Sequence, residues 1–264
     1  MFDEVKKTYI ENLSKELLEI PTVMFQLSSE ELKTMLDVFN SIMNGETPSG
    51  DTEEKVNKLR VKIDNLIKTN FPDGCFIKLG SRSPKDSWLI RKNGMCCKDG
   101  QYAMSLLFDS ERIMDDLYIA SANNYLPHVV LRKWVNIDPW REFRCFIRNK
   151  ELVGISQYFY KTYYPQIIKN KDNIEKVIKD KVQAIRNLLP VDTVIVDFIY
   201  NDDKTATIIE FNPYDIFTDP CLFDWKKDAF ENFEFRYLKE EPPKAEDFSL
   251  IFLKENLKKK DDNK

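Results

Sequence analysis

At 264 residues the chain is long enough to bury a large core, as one sizeable domain or as two small ones. Its 40 basic and 44 acidic residues leave a net charge of −4, which argues against direct nucleic-acid binding while leaving room for a local basic groove. No apolar run is long enough to span a bilayer and the N-terminus shows no signal-peptide pattern, so no membrane role is expected.

Five scattered cysteines (Cys75, Cys96, Cys97, Cys145, Cys221) fit the reduced thiols of a cytoplasmic protein better than a disulfide framework. Adjacent Cys96 and Cys97 lack a CxxC partner, and the single histidine, His128, cannot build a histidine-rich metal site. Glycine-rich phosphate loops of the GxxxxGK[ST] or GxGxxG kind are missing.

In chain order, residues 3 to 19 are expected to be helical. The stretch SSEELKTMLDVFNSIMN puts Leu32, Met35, Leu36, Phe39, Ile42 and Met43 on one helical face, with Ser28 and Glu31 as a capping box. The breaker NGETPSG follows, then a second helix whose stripe is Val56, Leu59, Ile63 and Leu66. These stripes read as core packing.

From Phe71 the texture changes to short strands: GCFIKLG, HVVLRKWVNI, REFRCFIRN and ELVGISQYFY. A helix is expected over 99 to 119. Another spans IEKVIKDKVQAIRNLL, with Ile174, Val177, Ile178, Val182, Ile185 and Leu189 on one face. Two strands around the polar turn NDDKT read as an antiparallel hairpin, VIVDFIYNDDKTATIIEFNPY. The tail from 241 is rich in charge. Hairpins with a few helices, rather than regular βαβ alternation, indicate an α+β class with antiparallel sheets.

The strands carry more charge than packing needs. Lys78 is embedded between Ile77 and Leu79, and the polar turn SRSPKDS follows it. Arg132 and Lys133 interrupt an apolar strand and point to opposite faces, whereas Glu142, Arg144 and Arg148 share one face. Cations in mid-strand are costly unless they reach solvent, a carboxylate or an anionic ligand.

In the hairpin, a turn centred on Asp203 and Lys204 sets Asp197 opposite Glu210, with Asn212 on the same side. Facing carboxylates repel, and a cation between them removes the penalty; Mg²⁺ typically uses one or two carboxylates plus phosphate oxygens. The plainer reading is an amphipathic hairpin whose acids face water. Together with the strand cations, the pattern suggests a polyphosphate–Mg²⁺ site.

The motifs KLGSRSPKDS, LRKWVNI, EFRCFIRN, LVGISQ, VDFIY, IEFNPY and TDPCLFDW, in this order and spacing over residues 71 to 225, resemble the cell division cycle protein 123 family. That resemblance implies an ATP-grasp-like fold that binds ATP and Mg²⁺. It also implies the role of an assembly factor for translation initiation factor 2 that engages the γ subunit.

Residue by residue, it implies that Lys78 and Lys133 contact ATP phosphates, with Arg132 and Arg144 lining that side. Trp134 and Val135 would lie at the adenine. Ser83 and Lys85 stand in the turn where other ATP-grasp proteins carry a glycine-rich flap. Asp197, Glu210 and Asn212 would hold the metal. The implied organisation is a helical N-terminal segment (1–70), two ATP-grasp subdomains (71–130 and 131–240) and a charged tail (241–264).

Three features depart from the family pattern. Glu210 stands where it usually has Asp, SRS replaces an asparagine–tryptophan–serine run, and the first 70 residues lack an aromatic-rich start. An ATP-grasp ligase or phosphotransferase working through an acyl phosphate is the alternative activity. A degenerate ATP fold kept as a binding module is the plainer one.

Overall fold

A computed structural model describes residues 2–241; the tail from 242, expected to be charged and frayed, lies outside the described residues. Where a long helix was expected over 3 to 19, the chain forms one short helix, α1 (Phe2–Val5), and three 3₁₀ turns between Lys6 and Leu17. The reason is packing across two bodies. Ile10 donates its N–H to the Gly80 carbonyl (3.3 Å), whereas Leu17 belongs to the core under the other sheet. A straight helix presents one stripe to one surface, and this segment has to serve two. At Gly80 an added Cβ would run into the Glu11 carboxylate, which would have to move aside.

Next come β1 (Thr22–Gln26), α2 (Ser29–Asn44), α3 (Gly50–Asn70) and β2 (Cys75–Leu79). The helix α2 starts on the expected capping box, with the Ser28 hydroxyl accepting from Glu31 N–H and the Glu31 carboxylate from Ser28 N–H. Its expected stripe is buried at Leu32, Met35 and Phe39, but Ile42 and Met43 run past the core and are exposed. In α3 the buried positions are Leu59, Ile63 and Ile67.

The short helix α4 (Ile90–Asn93), α5 (Gly100–Phe108), α6 (Glu111–Ala122) and β3 (His128–Lys133) complete this half. Strands β1, β3 and β2 form a three-stranded antiparallel sheet in that order. One of its faces (Ile77, Leu79, Val129, Leu131) packs with α2, α3, α5 and α6 in a single apolar cluster. The strand β1 lies inside the expected helical segment 1–70, and β3 straddles the expected boundary at 130. The helices of the first seventy residues therefore share one apolar core with β2 and β3.

The second half is β4 (Glu142–Arg148), β5 (Glu151–Gln157), α7 (Pro165–Ile185), β6 (Val194–Tyr200), β7 (Ala206–Pro213) and β8 (Glu234–Arg236). These strands form a five-stranded sheet, β7-β6-β4-β5-β8, antiparallel except for the β5–β8 pair. The helix α7 buries Ile167, Ile174, Ile178, Val182 and Ile185 against Phe143, Cys145, Val196, Phe198 and Phe211 on one face. The architecture is α+β with largely antiparallel sheets, as expected. Among the described residues no helix is long and apolar enough to cross a membrane.

Candidate functional site: a buried charged face between two sheets

Alternation along each strand decides which side chains meet. With Phe143, Cys145 and Ile147 turned towards α7, the intervening Glu142, Arg144 and Phe146 face the other way. Arg144 lies opposite Asp197 on β6, and Asp197 opposite Glu210 on β7. In the three-stranded sheet, Lys78 lies opposite Val130 and Arg132 opposite Phe76, on the face away from the helices. The two charged faces meet, and Lys78 forms an ion pair with Glu210.

The Asp197–Glu210 pairing expected from the hairpin is present, but the register reaches it by a different route. Near the turn Phe198 pairs with Ile208; a bulge between Asp197 and Phe198 leaves Ile209 over, and beyond it Asp197 pairs with Glu210. Without the bulge Glu210 would alternate onto the α7 face with Ile208. With it, Ile208 and Phe211 both face α7 while Glu210 and Asn212 stay with Asp197.

Each acid already has a cationic partner. Arg144 grips Asp197 with two parallel bonds, Nε to Oδ1 (2.9 Å) and Nη2 to Oδ2 (2.8 Å). Its third nitrogen, Nη1, donates to the Asp219 carbonyl (2.7 Å), and Asn212 Nδ2 donates to Asp197 Oδ2 (3.1 Å). The side chains of Arg144 and Asp197 are 6% and 1% exposed. Burial disfavours the Arg144 charge, but Asp197 outweighs it and holds the guanidinium's pKa above its ordinary value.

Burial likewise pushes Glu210 up, yet Lys78, Lys85 and Arg132 together hold it at about 2. Glu142 goes the other way: burial lifts it to about 7, with Lys85 offsetting part of the rise and Asp197 and Glu210 adding to it. Lys85 reaches the rim and donates to the Tyr158 hydroxyl (3.0 Å), and its N–H to the carbonyl of buried Ser83 (2.9 Å).

Arg132 is the unsatisfied member. It is 6% exposed and donates through Nη1 to the Ile209 carbonyl, but among the described residues its buried Nε has no partner. Leaving such a donor unmade costs about 1–3 kcal/mol or more for a charged group. Beside Arg144 a cavity of about 280 Å³ is lined by Tyr158, Phe159, Tyr160, Lys161, Thr162, Asp219 and Cys221. The Cys221 thiol is pushed up to about 12, chiefly by burial, which makes it a poor nucleophile.

Seven of the eleven expected positions therefore come together: Lys78, Lys85, Arg132, Arg144, Asp197, Glu210 and Asn212. Ser83 sits just behind Lys85. Lys133, expected at the phosphates, is not brought together with these seven; it is exposed on the face of β3 opposite to Arg132, as alternation demands. Trp134 is half-buried with its N–H donated to the Gly74 carbonyl (3.2 Å), and Val135 is 39% exposed; both lie in the segment joining the two sheets.

Glu142 shares a face with Arg144, which alternation makes legible, yet it carried no expected role. Tyr158 and the Asp219 carbonyl were missed because they lie outside the regular strands, where sequence spacing fixes no direction.

The donor chemistry suits a polyphosphate. Four cations (Lys78, Lys85, Arg132, Arg144) face three acids (Glu142, Asp197, Glu210), and one cation keeps an unmade hydrogen bond. For a metal, Asp197, Glu210 and Asn212 supply hard oxygens suited to Mg²⁺. However, Arg144 and Lys78 already relieve the repulsion between the acids, so the facing pair alone does not demand one. Among the described residues no three His, Cys, Asp or Glu side chains are grouped to hold a metal. A metal here would arrive with phosphate oxygens completing its shell.

The comparisons agree with this reading of the fold. The solved structure of Cdc123 from Schizosaccharomyces pombe matches with a TM-score of 0.73 at 22% identity, over 91% of this chain and 97% of that one. This chain shares the fold of that structure, with two sheets facing each other across charged residues. Proteins named translation initiation factor eIF2 assembly protein are 32% identical in Xenopus laevis, over 64% of this chain and 52% of that protein. In Xenopus tropicalis the identity is 28%, over 81% and 69%. In Dictyostelium discoideum it is 32%, over 72% and 53%. The chain thus spans about half to two thirds of the length of these relatives. The D123 family model matches residues 2–261, so the chain belongs to the D123 family, the one its strand motifs resemble.

Proposed function

We propose that this chain binds ATP with Mg²⁺ between its two sheets and, in that form, promotes assembly of translation initiation factor 2 in the cytoplasm by engaging the γ subunit. The observation that carries the nucleotide part is the buried Arg132 with an unmade donor, on the same sheet face as Lys78 and opposite the sheet that carries Arg144. A phosphate oxygen offers Arg132 the acceptor it lacks. The family membership and the names of the relatives support the assembly role.

Mechanistically, Lys78 and Arg132 come from one sheet and Arg144, Asp197 and Glu210 from the other. An anion held by both sets couples the two sheets. Bound Mg²⁺ would supply charge neutralisation of the phosphates, with Asp197, Glu210 and Asn212 holding it. The chain's own part is to orient the phosphates with three buried cations and to release Glu210 from Lys78 as the phosphate takes that ammonium. A ligand that binds only the folded state stabilises it by linkage.

The test is titration calorimetry of ATP into the protein with Mg²⁺, repeated with chelator, followed by capture of purified translation initiation factor 2 γ subunit. Mg-dependent binding and ATP-enhanced capture are expected, with ATP recovered intact. Formation of ADP would favour the ligase or phosphotransferase. Absence of ATP binding would leave a binding module.

A further inference from the structure

The bulge in β7 decides which face Glu210 occupies, so the groups that hold it bear on the site. Among the described residues β7 is an edge strand, and on its outer side Ile208 N–H and the Ile209 carbonyl have no strand to pair with. Two charged side chains take their place. The Glu19 carboxylate accepts the Ile208 N–H through Oε2 (2.7 Å), and Arg132 donates to the Ile209 carbonyl. The other Glu19 oxygen pairs with Lys181 on α7, and the Glu19 side chain is 24% exposed.

Glu19 is delivered by the segment that crosses from the three-stranded sheet to the five-stranded one, anchored by Leu17 in the α7 core. We propose that Glu19 is a positioning residue: with Arg132 it clamps the β7 bulge and so keeps Glu210 beside Asp197 on the ligand face. Among the described residues Glu19 pairs with none of the four phosphate-facing cations; it acts through the backbone N–H of Ile208. A hydrogen bond from a backbone N–H to a carboxylate is among the stronger kinds, and outer partners of a liganding carboxylate matter tenfold or more when removed.

The inference rests on the nucleotide reading for its affinity arm and on the fold alone for its exchange arm. In Glu19→Ala, amide hydrogen exchange at Ile208, Ile209 and Glu210 is expected to quicken while α7 and β4 stay protected, and the affinity for ATP with Mg²⁺ to fall about tenfold. In Lys181→Ala, which removes the ion pair but leaves the Ile208 contact, both readings should match wild type. Deleting Ile209 in the Glu19→Ala background removes the bulge while keeping Glu210 on the ligand face, and should restore affinity.

Unchanged exchange in Glu19→Ala overturns the inference whatever ATP does. So does an equal loss of affinity in Lys181→Ala, which assigns Glu19 a purely electrostatic tie. Quickened exchange together with no ATP binding by any form, wild type included, supports the clamp and removes the nucleotide reading instead.

Discussion

The two faces of the five-stranded sheet come from the same strands, one residue apart, and both are out of water. Under α7 lie Phe143, Cys145, Val196 and Phe198, each fully buried. On the other side Arg144 and Asp197 are 5% and 1% exposed. The first face is stabilised by removing apolar area from water, at roughly 25 cal/mol per Å². The second gains little by burial itself. Desolvating an ion pair costs several kcal/mol per ion, and a well-packed apolar pair often does as well or better. A charged face kept buried at that cost points to a ligand rather than to stability.

The contrast can be broken most severely at Asp197. In Asp197→Ala the buried Arg144 loses its partner, with an expected cost of about 3–5 kcal/mol in denaturant unfolding together with loss of ATP binding. Replacing both partners, Arg144→Met with Asp197→Leu, should recover most of that stability and none of the binding. Recovery of both would mean the pair is merely structural.

On the opposite face Phe198→Ala should cost a similar 3–5 kcal/mol through its cavity, while ATP affinity, measured where the variant is still folded, stays within about twofold of wild type. A large affinity loss there would mean the two faces are not energetically separate.

A smaller effect is expected at Glu142. Its folded-state pKa of about 7 exceeds the ordinary 4.5, so the folded chain keeps a proton that the unfolded chain releases. Stability contributed by this group therefore declines as pH rises from about 4.5 to 7, and a polyanion meets one more negative charge above that window. Affinity for ATP should fall a few-fold between pH 6 and 8, roughly the size of one partly screened charge. Glu142→Gln should flatten both slopes; the same slopes in the variant would place the titration elsewhere. Least of all, Lys133→Ala should leave ATP affinity unchanged, because β3 turns it away from Arg132.

Much of the charged face was legible because a strand repeats every two residues. Arg132 against Lys133, and Glu142 with Arg144, follow from counting along LRKW and REFR. The capping box of α2 was legible for the same local reason. The expected helix over 3 to 19 was not found, and β1 was missed, because those residues answer to two distant surfaces rather than to their neighbours. The metal argument drawn from two facing acids also needed revision, since the cations that pair with them come from β4 and β2, 53 and 132 residues away in sequence.

Local periodicity, caps and the turn NDDKT are properties of neighbouring residues, so the sequence by itself determined most of the longer elements beyond residue 28, the α+β class and the charged residues of each strand. The tertiary structure alone decided which charges meet and which one is left unsatisfied. It also decided how Glu210 comes to lie with Asp197, a pairing that the turn leads one to expect by plain register. That placement depends on one extra residue in β7, held by side chains from Glu19 and Arg132, and no alternation rule counts a residue that the sheet itself leaves over.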